Sequence, residues 1–243
     1  MTTGRTLLKL SNVTRRFGGL VAVDSVSFDV KEHEVLGLIG PNGSGKTTIM
    51  NLISGALSVS SGTISMQSKR LSSLPAHQIS RAGVARTFQL VRILPGLSII
   101  ENVIAGAAFG RHRNWGHDAV DQAEELLERV GLTAQINQSA ASLTYIDQKR
   151  LELARALASE PRVLLLDEWL AGLNPTELQI GIDLVSELRK EGRTIILVEH
   201  VMDAIRSLCD SCVVMNSGAK IAQGTPAQVL SDKQVIQAYL GDE

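Results

Sequence analysis

The chain has 243 residues and a formal net charge of −1, 24 Lys and Arg against 25 Asp and Glu, so it lacks the basic excess of a nucleic-acid binder. Aromatic residues are 3%, too few for a base-stacking surface, while 44% apolar and 20% charged residues describe a globular chain able to bury a core. No run approaches the roughly 20 apolar residues that cross a bilayer, and the opening MTTGRTLLKLSNVTRRF has no apolar signal region, which predicts a soluble, cytoplasmic protein.

LLKLSNVTRRF and VAVDSVSFDV read as strands around Gly18-Gly19, and Lys31-Glu32-His33-Glu34 as a polar turn. VLGLIG is a buried strand, GKTTIMNLISGAL a helix with apolar positions at helical spacing, and SGTISMQ another strand. From about Arg92 to Leu157 the chain turns helical: IIENVIAGAAFG, then DAVDQAEELLERVGL ending at Gly131, then YIDQKRLELARALAS closed before Pro161. RVLLLDEW is an apolar strand ending in two acids, and PTELQIGIDLVSELRKEG a helix with Pro175 at its start and Gly192 past its end. RTIILVEH is a strand, VMDAIRSLC a helix, CVVMNSGAKIAQ a hairpin and PAQVLSDKQVIQAYLG a terminal helical region. Strands alternating with helices predict a mostly parallel, covered sheet with a helical subdomain inserted into an α/β core.

Gly40-Pro41-Asn42-Gly43-Ser44-Gly45-Lys46-Thr47 fits G-x-x-x-x-G-K-[ST] between a predicted strand and a predicted helix. Glycines let the backbone curl so that successive N–H groups face phosphate oxygens, and the helix start adds its positive end. In that chemistry Lys46 reaches the β- and γ-phosphates and the Thr47 hydroxyl binds magnesium. The alternative, a chance glycine-rich turn, does not account for the strand and helix on either side.

A phosphate loop needs a second metal carboxylate, and VLLLDE supplies Asp167 at the carboxyl end of a strand, where ligands bind in open α/β sheets. Glu168 beside it can orient or deprotonate water; simple strand-end polarity is the alternative. Cys209 and Cys212 form a C-x-x-C pair whose redox reading is weaker than a helix end running into an apolar strand.

No guanine-reading N-K-x-D is present. Gln89 in ARTFQ, the LTYIDQKRLELARALA helix, LLLDEWLAGLNP and VEH ending at His200 resemble the ATP-binding subunits of ABC transporters, nearly end to end. GVARTFQLVRILPGLSIIENV, AGLNPTE, IAQGTPAQV and AYLG resemble the subgroup that energises uptake of branched-chain and other hydrophobic amino acids, or of small polar solutes such as urea. The resemblance implies one ABC ATPase domain: a RecA-like core with an antiparallel β subdomain over 1–90 and 159–243, and a helical signature subdomain over 91–158.

It also implies roles. Phe17 would stack on adenine, with simple core packing as the alternative. Gly40 to Thr48, Thr48 included, would cradle the nucleotide. Thr47, Gln89 and Asp167 would serve magnesium, Glu168 would be the general base, and His200 would contact the γ-phosphate. Two such subunits would pair head to tail, each ATP lying between one phosphate loop and the other chain's signature segment, here Thr144 and Ile146, with Asn174 at the seam. The segment after Gln89 would receive a helix of a membrane permease, so the chain would work at the cytoplasmic face of the membrane. An exporter ATPase and a soluble ABC protein acting on nucleic acid are the competing readings.

Two departures from the family pattern stand out. Ile146 occupies the place of a signature glycine, and a β-branched residue there predicts crowding and an unfavourable backbone. Trp169 replaces the proline after the catalytic glutamate and is expected to alter its positioning. Lys46, Thr47, Gln89, Asp167, Glu168 and His200 are all intact, so the sequence predicts one working ATP site and one weak one, and a second, related ATPase as partner.

Overall fold

The computed structural model describes residues 4–240; Met1–Thr3 and Gly241–Glu243, including the glycine of AYLG, lie outside the described residues, as does the Leu240 side chain. The chain divides into two compact units, one of Met1–Ala76 and Val185–Glu243, the other of His77–Leu184. In chain order come β1 (Thr6–Phe17), β2 (Leu20–Lys31), β3 (Val35–Ile39), α1 (Lys46–Ile53), β4 (Ser61–Met66), β5 (Lys69–Arg70) and α2 (Ala76–Ala82). Then follow β6 (Val84–Arg86), α3 (Ile99–Phe109), α4 (His117–Arg129), α5 (Tyr145–Ala158), β7 (Val163–Asp167) and α6 (Pro175–Lys190). The chain closes with β8 (Thr194–Val198), α7 (Met202–Leu208), β9 (Ser211–Asn216), β10 (Ala219–Gly224), α8 (Pro226–Leu230) and α9 (Lys233–Leu240).

In the first unit β1 and β2 form a hairpin whose last pair, Phe17 and Leu20, encloses the two-residue loop Gly18-Gly19. The hairpin belongs to an antiparallel sheet ordered β2-β1-β4-β5. Along β2 the apolar Val23, Val26, Phe28 and Val30 are buried while Asp24 and Ser25 are exposed, the one-sided burial of an antiparallel sheet with a wet face. The other layer is parallel: β3 pairs with β8 (Gly37 with Leu197) and with β9 (Ile39 with Val214). Every residue of β3 and β8 is buried, which explains their uninterrupted apolar reading. β10 returns antiparallel to β9.

In the second unit β6 runs parallel to β7, with Arg86 opposite Leu165. The helices α3, α4 and α5 pack on one another. α4 shows why: Ala119, Ala123 and Leu127 recur at every fourth position and are buried, against an otherwise charged surface. α3 starts on a capping box in which the Ser98 hydroxyl accepts the Glu101 N–H and the Glu101 carboxylate accepts the Ser98 N–H.

The structure differs from the sequence reading in two places. α1 stops at Ile53 rather than near Leu57, because Gly55 takes φ +75° and its N–H closes back on Leu52 O. β5, α2 and β6 escape the sequence reading: β5 is two residues long, β6 is three, and α2 buries only Ile79, so none carries a period. Among the described residues no helix is long and apolar enough to cross a membrane.

Candidate nucleotide site

The phosphate loop sits between β3 and α1 in the first unit. Gly40, Gly43 and Gly45 have φ of +145°, +76° and +103°, the region where L side chains are strained. Gly40 is the strictest: a Cβ there would lie 2.1 Å from Met215 O. Lys46 is buried, and its Nζ donates to the carbonyl oxygens of Gly40 at 2.8 Å and Pro41 at 2.9 Å, which holds the ammonium against the loop it serves. The Ser44 hydroxyl is buried without a hydrogen-bond partner, a polar atom suited to an anionic oxygen. Thr47 is exposed at the start of α1, with Thr48 half-buried and Asn42 exposed beside it. From α9, Tyr239 hydrogen-bonds the Gly40 backbone; burial nevertheless raises its hydroxyl pKa.

Phe17 is not core: it is 41% exposed at the end of β1, with the Arg15 guanidinium 4.5 Å from its ring centre. His200 is exposed just past the end of β8, and Glu199 before it is buried.

The acids at the end of β7 lie in the second unit. Asp167 is fully buried, and its Oδ2 accepts from Arg86 at 2.6 Å, both side chains being nearly inaccessible to solvent. Glu168 is half-buried, with φ +51°, an uncommon conformation for a residue with a Cβ. Its Oε2 accepts from Gln89 Nε2 at 2.8 Å. Gln89 and Glu168 are thus brought together, while Asp167 has an arginine against it that sequence reading did not foresee.

The signature segment begins α5. Thr144 is its N-cap: its hydroxyl donates to Asp147 Oδ2 at 2.7 Å and accepts the Asp147 N–H at 3.3 Å. Ile146 follows within the first turn, half-buried and with φ outside the left-handed region, so this chain's own backbone has no need of glycine there. The expected backbone penalty is therefore absent. Asn174 caps α6: its side chain accepts the Glu177 N–H at 3.0 Å and its own N–H donates to Glu177 at 3.0 Å.

Three residues missed in the sequence tie this unit together. Arg86 faces Asp167 and also stacks on Phe88, whose ring carries Arg92 as well. The buried carboxylate of Glu152 accepts the Phe88 N–H at 3.1 Å and the Arg92 N–H at 2.8 Å, pinning the segment that carries Gln89. Burial raises the Glu152 pKa, against the opposing pull of those two N–H bonds and of Arg155 and Arg86. The third, Lys149, is buried and donates to backbone carbonyls after Glu168. α5 buries Lys149 and Glu152 along with Leu151, Leu153 and Ala154, so these two charges do not lie on its solvated face.

Cys209 and Cys212 are buried free thiols. Their mutual hydrogen bond and burial push the Cys209 pKa far up, which suppresses the thiolate and favours a packing role.

A glycine-rich strand–loop–helix with the build of an anion cradle, a strand ending in two acids, and a helix capped by Thr144 define a phosphate-loop ATPase cassette. The ABC transporter family model matches residues 23–171, and a second, for branched-chain amino acid ATP-binding cassette transporters, matches residues 219–243. The chain is 40% identical to the high-affinity branched-chain amino acid transport ATP-binding protein LivG of Salmonella typhimurium, over 97% of this chain and 98% of that one. Among solved structures, MJ1267, an ATP-binding cassette of an ABC transporter in its ADP conformation, superposes with a TM-score of 0.85 at 29% identity, over 98% of this chain and all of that one. The cassette MJ0796, dimeric in a post-hydrolysis state with ADP and phosphate, superposes with a TM-score of 0.82 at 25% identity, over 90% of this chain and 99% of that one. The chain belongs to the ABC transporter family of ATP-binding proteins.

Proposed function

We propose that this chain is the ATP-hydrolysing subunit of an importer for branched-chain amino acids or a related small solute. The observation that carries the solute class is the near full-length likeness to LivG, which includes the C-terminal stretch where the branched-chain model matches. The exporter reading has the weaker likeness, 30% identity to the lipopolysaccharide export system ATP-binding protein LptB of Haemophilus influenzae against 40% to LivG.

The residues fit Mg·ATP. The glycine loop and the buried Ser44 hydroxyl would receive phosphate oxygens, with Lys46 as their cation and Phe17 offering an exposed ring to adenine. Thr47, Asp167 and the Gln89 side-chain carbonyl are hard oxygen donors of the kind magnesium takes. Magnesium bound there would supply charge neutralisation of the phosphates. Gln89 spends its N–H on one oxygen of Glu168, which fixes the carboxylate as the base that takes a proton from the attacking water. His200, exposed past β8, would meet the γ-phosphate.

The partners in this reading are permease subunits and a second cassette. Leu90 is 80% and Leu94 41% exposed in the segment after Gln89, apolar surface fit for a permease helix. Thr144 and Ile146 would serve the partner's nucleotide, and the side chain at Ile146 makes that second site the weaker one. The chain would then work at the cytoplasmic face, held by the permease. The test is uptake of labelled leucine into proteoliposomes carrying the assembled transporter. Uptake that needs ATP and vanishes in Glu168→Gln supports the reading; uptake indifferent to Glu168→Gln, or an ATPase stimulated only by a solute of another class, contradicts it.

A further inference from the structure

Lys149 lies in the first turns of α5 and is only 1% exposed. An ammonium there has three donors and little water to satisfy them. It donates to Trp169 O at 2.9 Å and Ala171 O at 2.6 Å, and lies 3.5 Å from Glu168 O. The Tyr145 ring is 5.1 Å away. The three carbonyls belong to one turn, closed by the Ala171 N–H on Glu168 O at 3.1 Å. The turn answers with a bond of its own: Trp169 Nε1 donates to Lys149 O at 3.2 Å.

The indole is 2% exposed, and room for it is reserved on α6. A Cβ at Gly181 would sit 3.1 Å from Trp169 Cζ3 and 2.6 Å from Leu170 Cδ2. The tryptophan in the place of the family's proline is therefore a built feature. Glu168, immediately before it, holds φ +51°, a conformation that persists in a non-glycine residue only when its surroundings impose it.

We infer that Lys149 and Trp169 form a reciprocal clamp between α5 and the turn after β7, and that Lys149 is a positioning residue for Glu168. Gln89 fixes the carboxylate end of Glu168; the clamp fixes its backbone end. The inference rests on the hydrolytic reading above and adds to it a residue that touches neither nucleotide nor water.

The test uses the assembled transporter with Lys149→Met, Lys149→Arg, Trp169→Phe and, as control, Glu168→Gln, and measures kcat and KM for Mg·ATP beside the affinity for the fluorescent analogue MANT-ATP. Displacing a reacting group by an ångström costs up to about 100-fold in rate, so Lys149→Met lowers kcat by about that factor while KM and MANT-ATP affinity hold. Lys149→Arg, which keeps a cationic donor, recovers part of the loss. Trp169→Phe, which keeps an aromatic ring but removes the N–H and part of the indole's packing, lowers kcat to a smaller extent and guards against a Lys149→Met chain that fails to fold. Wild-type kcat in both Lys149→Met and Trp169→Phe overturns the clamp, as does a loss of kcat matched by an equal loss of MANT-ATP affinity. Failure of the hydrolytic reading looks different: the wild type does not turn over, or Glu168→Gln turns over as fast.

Discussion

Gln89 and Glu168 stand 79 residues apart in sequence, yet the amide nitrogen of one lies 2.8 Å from a carboxylate oxygen of the other. The contact holds one oxygen of the Glu168 carboxyl group, the proposed base, in a fixed position. It also ties Glu168, the proposed base, to the segment that follows β6, the same segment that exposes Leu90 and Leu94. Gln89→Leu is therefore expected to lower kcat for ATP by about 10-fold to 100-fold, the order lost when a catalytic group is no longer held in place. MANT-ATP affinity stays near wild type. A variant with full turnover would show that Glu168 needs no such support.

Arg86 and Asp167 meet at 2.6 Å with almost no exposed surface. Removing one partner of a buried pair leaves the other charge uncompensated, which costs about 3–5 kcal/mol. Arg86→Met should lower the midpoint of chemical unfolding accordingly. An unchanged midpoint would mean that solvent or another group compensates Asp167 without the arginine.

Glu152 gives a pH dependence. Burial raises its pKa above the ordinary glutamate value of 4.5, so the folded chain keeps that proton to higher pH than the unfolded chain does. The folded state then binds more protons over the window that opens near 4.5, and stability falls as pH rises through it. In Glu152→Gln that part of the slope disappears. Unfolding midpoints followed from acid to neutral pH check this; parallel curves for variant and wild type would refute it.

Ile146 stands in the first turn of α5 with φ outside the left-handed region, so Ile146→Gly offers the fold nothing and costs roughly 0.5 kcal/mol of helix propensity. Its effect belongs to the surface offered to a partner cassette. The assembled ATPase should run faster with Ile146→Gly, because the second site regains a close backbone approach. An unchanged rate would remove the case for a weak second site.

What the sequence made legible was what periodicity and fixed spacing encode. β3 and β8 read as apolar runs because every one of their residues is buried, and the loop from Gly40 to Thr47 reads as a phosphate cradle from its G-x-x-x-x-G-K-[ST] spacing, with its glycines at positive φ. α2 and β6 were illegible because they bury too little to leave a period. The network around Glu168 was illegible for another reason. Arg86, Lys149 and Glu152 look like surface charges in a helical or polar run, and only tertiary packing turns them inward onto Asp167, the turn after Glu168 and the Gln89 segment. Trp169 shows the same limit from the other side. It looked like an intrusion beside the base, and the structure seats it under a hydrogen bond to Lys149 and opposite a glycine on α6.

The most direct measurement is steady-state Mg·ATP hydrolysis by the purified chain, with Glu168→Gln in parallel and MANT-ATP binding on both. The account predicts tight binding to both proteins and no hydrolysis by Glu168→Gln, with the wild type slow alone and accelerated by a partner cassette that brings an ordinary signature. Fast hydrolysis by the wild-type chain alone would contradict the unequal-site account, and hydrolysis by Glu168→Gln at the wild-type rate would contradict the role of Glu168 itself.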